Sequence, residues 1–320
     1  MDKTEALNSF SLLTMILRFY SFLVLLWDFN IFLLYTLFSI LNAIFELISP
    51  KPLKPVDSEK VLIVGSSRGV GKELALQLSQ LGACIVCWDI NTSGNEELVK
   101  QIRLKNGQAY AYTCDVTDQD KVLEMAKKVQ KEIGDITMMF NCSGVPSPRS
   151  LLAQKPPDIK DTISLGVLAH FYLLEAFLPR MKELDHGHIV TLTSVAGLTG
   201  INNQVPLSVT QFAVQGLVES LLEQTRTDKN LKNLHFTLCH IYPFIFSNDV
   251  ANDIRLRISS FFGKIKSADA AHKIIDGVRR NYVEISIPGY LLYLGHALKL
   301  LPRNSTCMLK DMLNTGTDFA

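Results

Sequence analysis

Three groups of residues in this 320-residue chain have the types and spacing that chemistry needs. The first is Gly65-Ser66-Ser67-Arg68-Gly69-Val70-Gly71, between the apolar run Lys60–Val64 and a helical stretch from Lys72 to Leu81. A strand, a glycine-rich turn and a helix start aim backbone N–H groups and a helix N-terminus at a phosphate. The second group consists of polar tips that follow apolar runs: Asp89, Asp115-Val116 and Asn141-Cys142-Ser143-Gly144. An acidic side chain eighteen residues after Gly71, as Asp89 is, can accept both hydroxyls of a ribose. The third group is Ser194, which ends the run Gly187–Ser194, with Leu207 thirteen residues on and Gln211 four further. The Ser194 hydroxyl can orient an oxygen, but neither Leu207 nor Gln211 has a proton to exchange near neutral pH.

The elements that must position these groups alternate regularly. Buried-strand patterns at Lys60–Val64, Cys84–Trp88, Gln108–Cys114 and Ile136–Phe140 are separated by helical stretches near Lys72–Leu81, Glu96–Asn106 and Gln119–Ile133. That alternation predicts an α/β fold with a doubly wound parallel sheet, in one Rossmann-type domain over about residues 58–288. The polar tips then fall at the carboxyl ends of the strands, where open parallel sheets bind ligands.

Several motifs together resemble the short-chain dehydrogenase/reductase family, in its membrane-anchored retinol dehydrogenase and hydroxysteroid dehydrogenase branch. They are the glycine turn, Trp88-Asp89-Ile90-Asn91, Asp115-Val116, Asn141–Gly144, Ala169-His170-Phe171, Ala176-Phe177-Leu178-Pro179 and Asp185-His186-Gly187-His188-Ile189-Val190. The resemblance covers about residues 58–300. It implies cofactor binding by Gly65, Ser67, Arg68, Gly69, Val70, Gly71, Asp89, Asp115, Val116, Asn141, Ser143, Gly144, Pro243 and Asn248. Asp89 favours NAD(H) over NADP(H), because a carboxylate repels a 2′-phosphate; Arg68 pulls the other way. Val64 stands where the family has threonine, and Cys142-Ser143 where it has asparagine and alanine.

The family's chemistry uses a tyrosine as acid/base, a lysine four residues later that lowers its pKa and holds the nicotinamide ribose, a serine, and an asparagine on a preceding helix. Ser194 matches the serine. Thr210 and Phe212-Ala213 fix the register of the following helix, so Leu207 occupies the tyrosine position and Gln211 the lysine position. Gly166 falls at the asparagine. Ser208 and Thr210 carry hydroxyls but lie on other sides of the helix from Leu207, while Tyr242 stands before Pro243 at the end of the sixth strand. His170 and His188 read as packing residues.

Composition narrows the rest. The net charge of +1 gives no global field for nucleic acid. The six cysteines are scattered, and Cys84 and Cys87 on one strand face opposite ways, which argues against a shared metal. They read as thiols in a reducing compartment, and the sequons at Asn91, Asn141 and Asn304 are then without consequence.

Residues 1–49 form a separate segment, almost continuously apolar from Phe10 to Ile48, with Arg18, Asp28 and Glu46 as its only charges. Its longest uncharged stretch, Phe29–Phe45, is 17 residues, at the lower edge of a spanning helix. One tilted span, a hairpin turning at Asp28-Phe29-Asn30, and a buried helical pair all fit, whereas a cleaved signal peptide fits poorly. A proline-rich linker, residues 50–57, follows, with Lys51 and Lys54 as cytosolic-type flanks. The expected site is the endoplasmic reticulum membrane or a lipid droplet, with the main domain facing the cytosol. Residues 289–320 hold a second apolar stretch, Tyr290–Leu301, too short to span. The loop Phe244–Ser267 is expected over the substrate cleft, and its phenylalanines and arginines suit a lipid-like ligand or a membrane surface.

Three functions fit. One is a membrane-associated dehydrogenase homologue that binds NAD(H) without standard catalysis, as a homodimer or paired with an active paralogue, and takes a lipophilic small molecule or a partner. The second is an active oxidoreductase on a lipophilic alcohol or ketone with a nonstandard acid/base. The third is a lipid-surface structural protein without nucleotide.

Overall fold

The computed structural model describes residues 3–144, 155–200, 204–241, 245–246 and 265–313. Pro243 and Asn248 lie outside the described residues, as do Tyr242 and most of the 244–267 loop. The chain divides into two compact units, Met1–Pro52 and Leu53–Ala320.

The first unit is a single helix, α1 (Lys3–Ile48), and no residue of its apolar stretch Thr14–Glu46 is buried. At 33 residues that stretch is about 50 Å long, more than the ~30 Å hydrocarbon core requires. The turn read at Asp28-Phe29-Asn30 does not form, which overturns the hairpin and the buried pair. Asn30 Nδ2 donates to the Leu26 carbonyl at 2.7 Å, and Thr36 Oγ1 to Phe32 at 2.8 Å. Polar side chains that bond their own helix need not break it.

The second unit alternates β1 (Lys60–Val64), α2 (Gly69–Gln80), β2 (Cys84–Asp89), α3 (Thr92–Leu104), β3 (Ala109–Thr113), α4 (Gln119–Glu132) and β4 (Met138–Asn141). It continues through α5 (Pro156–Ile163), a π-helical turn at Ser164–Leu168, α6 (Ala169–Glu183), β5 (Gly187–Ser194), α7 (Val205–Thr227) and β6 (Leu234–Ile241). After the small ribbon of β7 (Ile245–Phe246) and β8 (Ile265–Lys266) come α8 (Ser267–Arg279), β9 (Glu284–Ile287), α9 (Tyr290–Leu300) and α10 (Arg303–Leu313). The main sheet has seven strands in the order β3-β2-β1-β4-β5-β6-β9, every pair parallel.

A parallel sheet is buried on both faces, so its strands read as continuous apolar runs. In β1, Val61 and Ile63 join the core beneath α2, α3 and α8, while Leu62 and Val64 join the core beneath α4, α6 and α7. Helices α5–α6 and α7 are apolar enough to resemble spans by composition, but they pack Leu173, Phe177, Val214 and Val218 against the sheet. Helix α3 starts four residues earlier than expected, because the Asn91 side chain caps it by accepting from the Gly94 N–H.

The chain order reverses between β1 and β4, and the crevice at such a switch point is where this architecture binds ligands. Below the sheet, Lys54 is clamped to the end of α8: its N–H donates to the Arg279 carbonyl, and Arg279 Nε donates to the Lys54 carbonyl, each at 2.8 Å.

Candidate functional site

A cleft of about 870 Å³ opens at the carboxyl ends of β1, β2, β4, β5 and β6. Its first half is built on the turn from β1 to α2. Gly65, at φ 79°, lies so close to the backbone after β4 that an added Cβ would stand 2.9 Å from the Cys142 carbonyl. A Cβ on Gly71 would overlap the Gly65 carbonyl oxygen. Gly69, at φ 59°, and Gly144 have nothing within 4 Å of where a Cβ would be. Two glycines therefore close the turn, and two leave open space above it. Arg68, the residue before α2, makes no side-chain cap, so the helix N-terminus is left to a ligand. These features fit a pyrophosphate group.

Asp89 lines the same half. Its two oxygens accept from the backbone N–H groups of Ser67 at 2.8 Å and Asn91 at 2.9 Å, which fixes the carboxylate at the end of β2. Asp115 Oδ1 is held by the Thr117 N–H and hydroxyl at 3.0 and 2.7 Å. Beneath the turn, the Ser66 hydroxyl donates to Asn95 Oδ1 at 2.7 Å, and Asn95 Nδ2 donates to the carbonyls of Cys87 and Tyr112. That buried network ties the turn to β2, β3 and α3.

The structure brings eleven of the expected site residues to the cleft wall: Gly65, Arg68, Gly69, Val70, Gly71, Asp89, Asp115, Val116, Ser143, Gly144 and Ser194. Ser67 does not line it but holds Asp89 through its N–H. Asn141 also stands behind the wall. Its Oδ1 accepts from the Ser143 hydroxyl at 2.6 Å, and its Nδ2 donates to His170 Nδ1 at 3.1 Å. Burial lowers the His170 pKa to about 4, which keeps the ring neutral and able to accept. Burial also raises the Cys114 thiol to about 11 and the Cys142 thiol still higher, so both remain protonated.

The second half of the cleft is lined by Ser194, Leu207, Gln211, Leu192, Leu165 and Ile241, with Ser164 and Asp161 from the α5 side. Gln211 is buried and turned back onto the end of β5. Its Oε1 accepts from Thr193 Oγ1 at 2.8 Å and from the Ser194 N–H at 2.6 Å. Ser194 Oγ accepts from the Ala196 N–H at 3.3 Å. Thr210 is fully buried, with its hydroxyl donating to the Leu207 carbonyl at 2.8 Å, so it is no substitute acid.

Gly166 sits inside the π-helical turn, against α7. An added Cβ would stand 2.9 Å from both Cβ and Cγ2 of Thr210. The methyl of Thr210 thus fills the room that a larger side chain at position 166 would need. Sequence reasoning missed this pairing, as it missed Asp161 and Ser164. Their spacing of three places them on one helix face, but nothing in the sequence fixes which face meets the cleft.

Among the described residues, no group of three or more His, Cys, Asp or Glu could hold a metal ion.

The family model described as short chain dehydrogenase matches residues 59–252. Epidermal retinol dehydrogenase 2 of Homo sapiens is 32% identical over 284 residues, covering 88% of this chain and 91% of that protein. Short-chain dehydrogenase/reductase family 16C member 6 of Bos taurus is 39% identical over 268 residues, 83% of each. 17-beta-hydroxysteroid dehydrogenase 13 of Homo sapiens is 29% identical over 278 residues, 87% of this chain and 91% of that one. Among solved structures, a short-chain dehydrogenase/reductase from Burkholderia phymatum in complex with NAD superposes with a TM-score of 0.67. It is 19% identical and covers 76% of this chain and 93% of its own, a likeness of fold.

Proposed function

The chain belongs to the short-chain dehydrogenase family, and on that premise we propose that it is a membrane-associated member that binds NAD(H) but lacks the family's standard proton transfer. The observation that carries this reading is the pair Leu207 and Gln211 on the second half of the cleft. Protonating or deprotonating a substrate oxygen needs a group with a pKa near the working pH, within hydrogen-bond reach. Leucine offers none, and the Gln211 amide, spent on Thr193 and Ser194, neither titrates nor supplies the cation that would tune a neighbour. Bound NAD would supply a hydride acceptor. Gly65 and Gly71 would close the turn beneath its pyrophosphate, Gly69 and Gly144 would leave room for it, and Asp89 would hold the adenosine ribose. Asp89 supports NAD(H) over NADP(H), with Arg68 as the opposing charge.

Helix α1 supports a membrane anchor, and we place the protein at the endoplasmic reticulum membrane or a lipid droplet, with the body toward the cytosol. The names of the relatives, for retinol and for 17-beta-hydroxysteroids, suggest a lipophilic ligand. Pairing with a second copy or an active paralogue would use α6 and α7, where Phe171, Val209 and Phe212 are exposed.

The test uses the full chain in detergent micelles. NAD(H) binding is measured directly, and turnover is followed on retinol and steroid alcohols for the wild type and for Leu207→Tyr/Gln211→Lys. The expected result is binding by both, with activity gained only in the double variant, or once Gly166→Asn and Thr210→Ser are added. Wild-type turnover well above background would favour an active oxidoreductase instead. Absence of nucleotide binding would leave the structural reading.

A further inference from the structure

Resting on that reading, we infer that the second half of the cleft selects the oxidised cofactor, so that this protein binds NAD+ in preference to NADH. The two ends of the cleft differ. Asp89 at the end of β2 and the glycine turn at β1 place a ribose and a pyrophosphate on that side of the switch point. A dinucleotide laid across the crevice must then put its other base over β4 and β5, where Ser194, Leu207 and Gln211 line the wall.

Charge differs between the two halves. Among the described residues lining the cleft, Arg68 is the only lysine, arginine or histidine, and it belongs to the phosphate turn. The carboxylates are Asp89, Asp115 and Asp161. On the wall contributed by β4, α5, β5, α7 and β6, Asp161 is the one charged group among the described residues, and the two cysteine thiols of the cleft are held neutral by burial.

NAD+ and NADH differ in shape only slightly and in charge by one unit, on the nicotinamide ring. A cation at position 211 would repel the charged ring and leave the neutral one untouched. A neutral amide there, with a carboxylate on the same wall, removes that repulsion. In a partly desolvated cleft, one unit charge is enough to move a binding ratio by about tenfold. The replacement at Gln211 thus changes which redox form is held, apart from its effect on proton transfer.

The test measures dissociation constants for NAD+ and NADH separately, by calorimetry on the full chain in detergent. Variants are Gln211→Lys, Gln211→Met and Asp161→Asn. The wild type is expected to bind NAD+ more tightly than NADH. Gln211→Lys should shift the ratio toward NADH by about tenfold, less at high salt. Gln211→Met, which also loses the bonds to Thr193 and Ser194, should leave the ratio unchanged even if both affinities drop. That result separates charge from packing, and Asp161→Asn should shift the ratio toward NADH by a smaller factor. A wild type that binds NADH as tightly as NAD+ or more tightly, or a ratio that Gln211→Lys does not move, overturns the inference while leaving the functional reading intact. Failure to bind either form overturns both.

Discussion

The two halves of the cleft stand on one sheet and are made of the same kinds of element, yet their polar positions are filled on different principles. In the first half Asp89 is held at the cleft wall by two backbone N–H groups, and the α2 N-terminus is without a side-chain cap. In the second half the polar groups are turned inward. Gln211 bonds the end of β5, Thr210 bonds its own helix, and the Thr210 methyl closes the space beside Gly166. Among these described residues, the polar groups of α7 and β5 thus satisfy one another. The first half has less freedom to rearrange in this way, since Gly65 and Gly71 are fixed by backbone contacts.

The largest expected effect sets the two functions of the glycines apart. Gly71→Ala forces a Cβ into the Gly65 carbonyl and should destabilise the protein by about 3 kcal/mol or more, measured by chemical denaturation. Gly69→Ala meets open space and strains only its own φ of 59°, so about 1 kcal/mol is expected, with nucleotide binding lost disproportionately. Equal effects on stability would break the distinction between closing the turn and cradling a ligand.

At the seam between the halves, His170 links Asn141 on β4 to α6. Its pKa is lowered in the fold to about 4 from an unfolded value of 6.5, so the unfolded chain binds the extra proton over that interval. Stability is fully present above about pH 6.5 and falls as the pH drops through 4, by on the order of 3 kcal/mol. His170→Gln should flatten that slope. Some slope should remain from His188, whose pKa is also lowered by burial and by Lys54 and His235.

In the second half, Gly166→Asn alone should destabilise by about 2 kcal/mol through overlap with Thr210, and adding Thr210→Ser should recover most of it. Purely additive changes would show that the two positions are not coupled. Gln211→Ala should cost less, about 1–2 kcal/mol, because it leaves the Thr193 hydroxyl and the Ser194 N–H without their acceptor.

The fold was legible because its signals are local: apolar runs, a glycine turn and polar tips at regular pitch. The start of α3 shows how little was needed to improve on that reading, since Asn91 is an ordinary helix cap. The turn at Asp28–Asn30 failed for a physical reason. In an apolar helix a polar side chain can satisfy itself on the preceding turn, and composition alone does not tell this from a break. Of the site, the identities at 166, 207 and 211 were readable, but not what had replaced them in space. That Thr210 occupies the room beside Gly166, or that Gln211 Oε1 bonds the end of β5, depends on packing of α7 against β5 and the π-helical turn that no spacing encodes.

The central claim is that nucleotide binding persists where standard proton transfer does not. The most direct measurement is NADH formation by the full wild-type chain, saturated with NAD+ as verified by calorimetry, in the presence of retinol and steroid alcohols. Stoichiometric binding with no NADH above the rate of the protein-free mixture is the expected result. Sustained multiple turnover by the wild type would contradict it, and would require an acid/base other than residues 207 and 211.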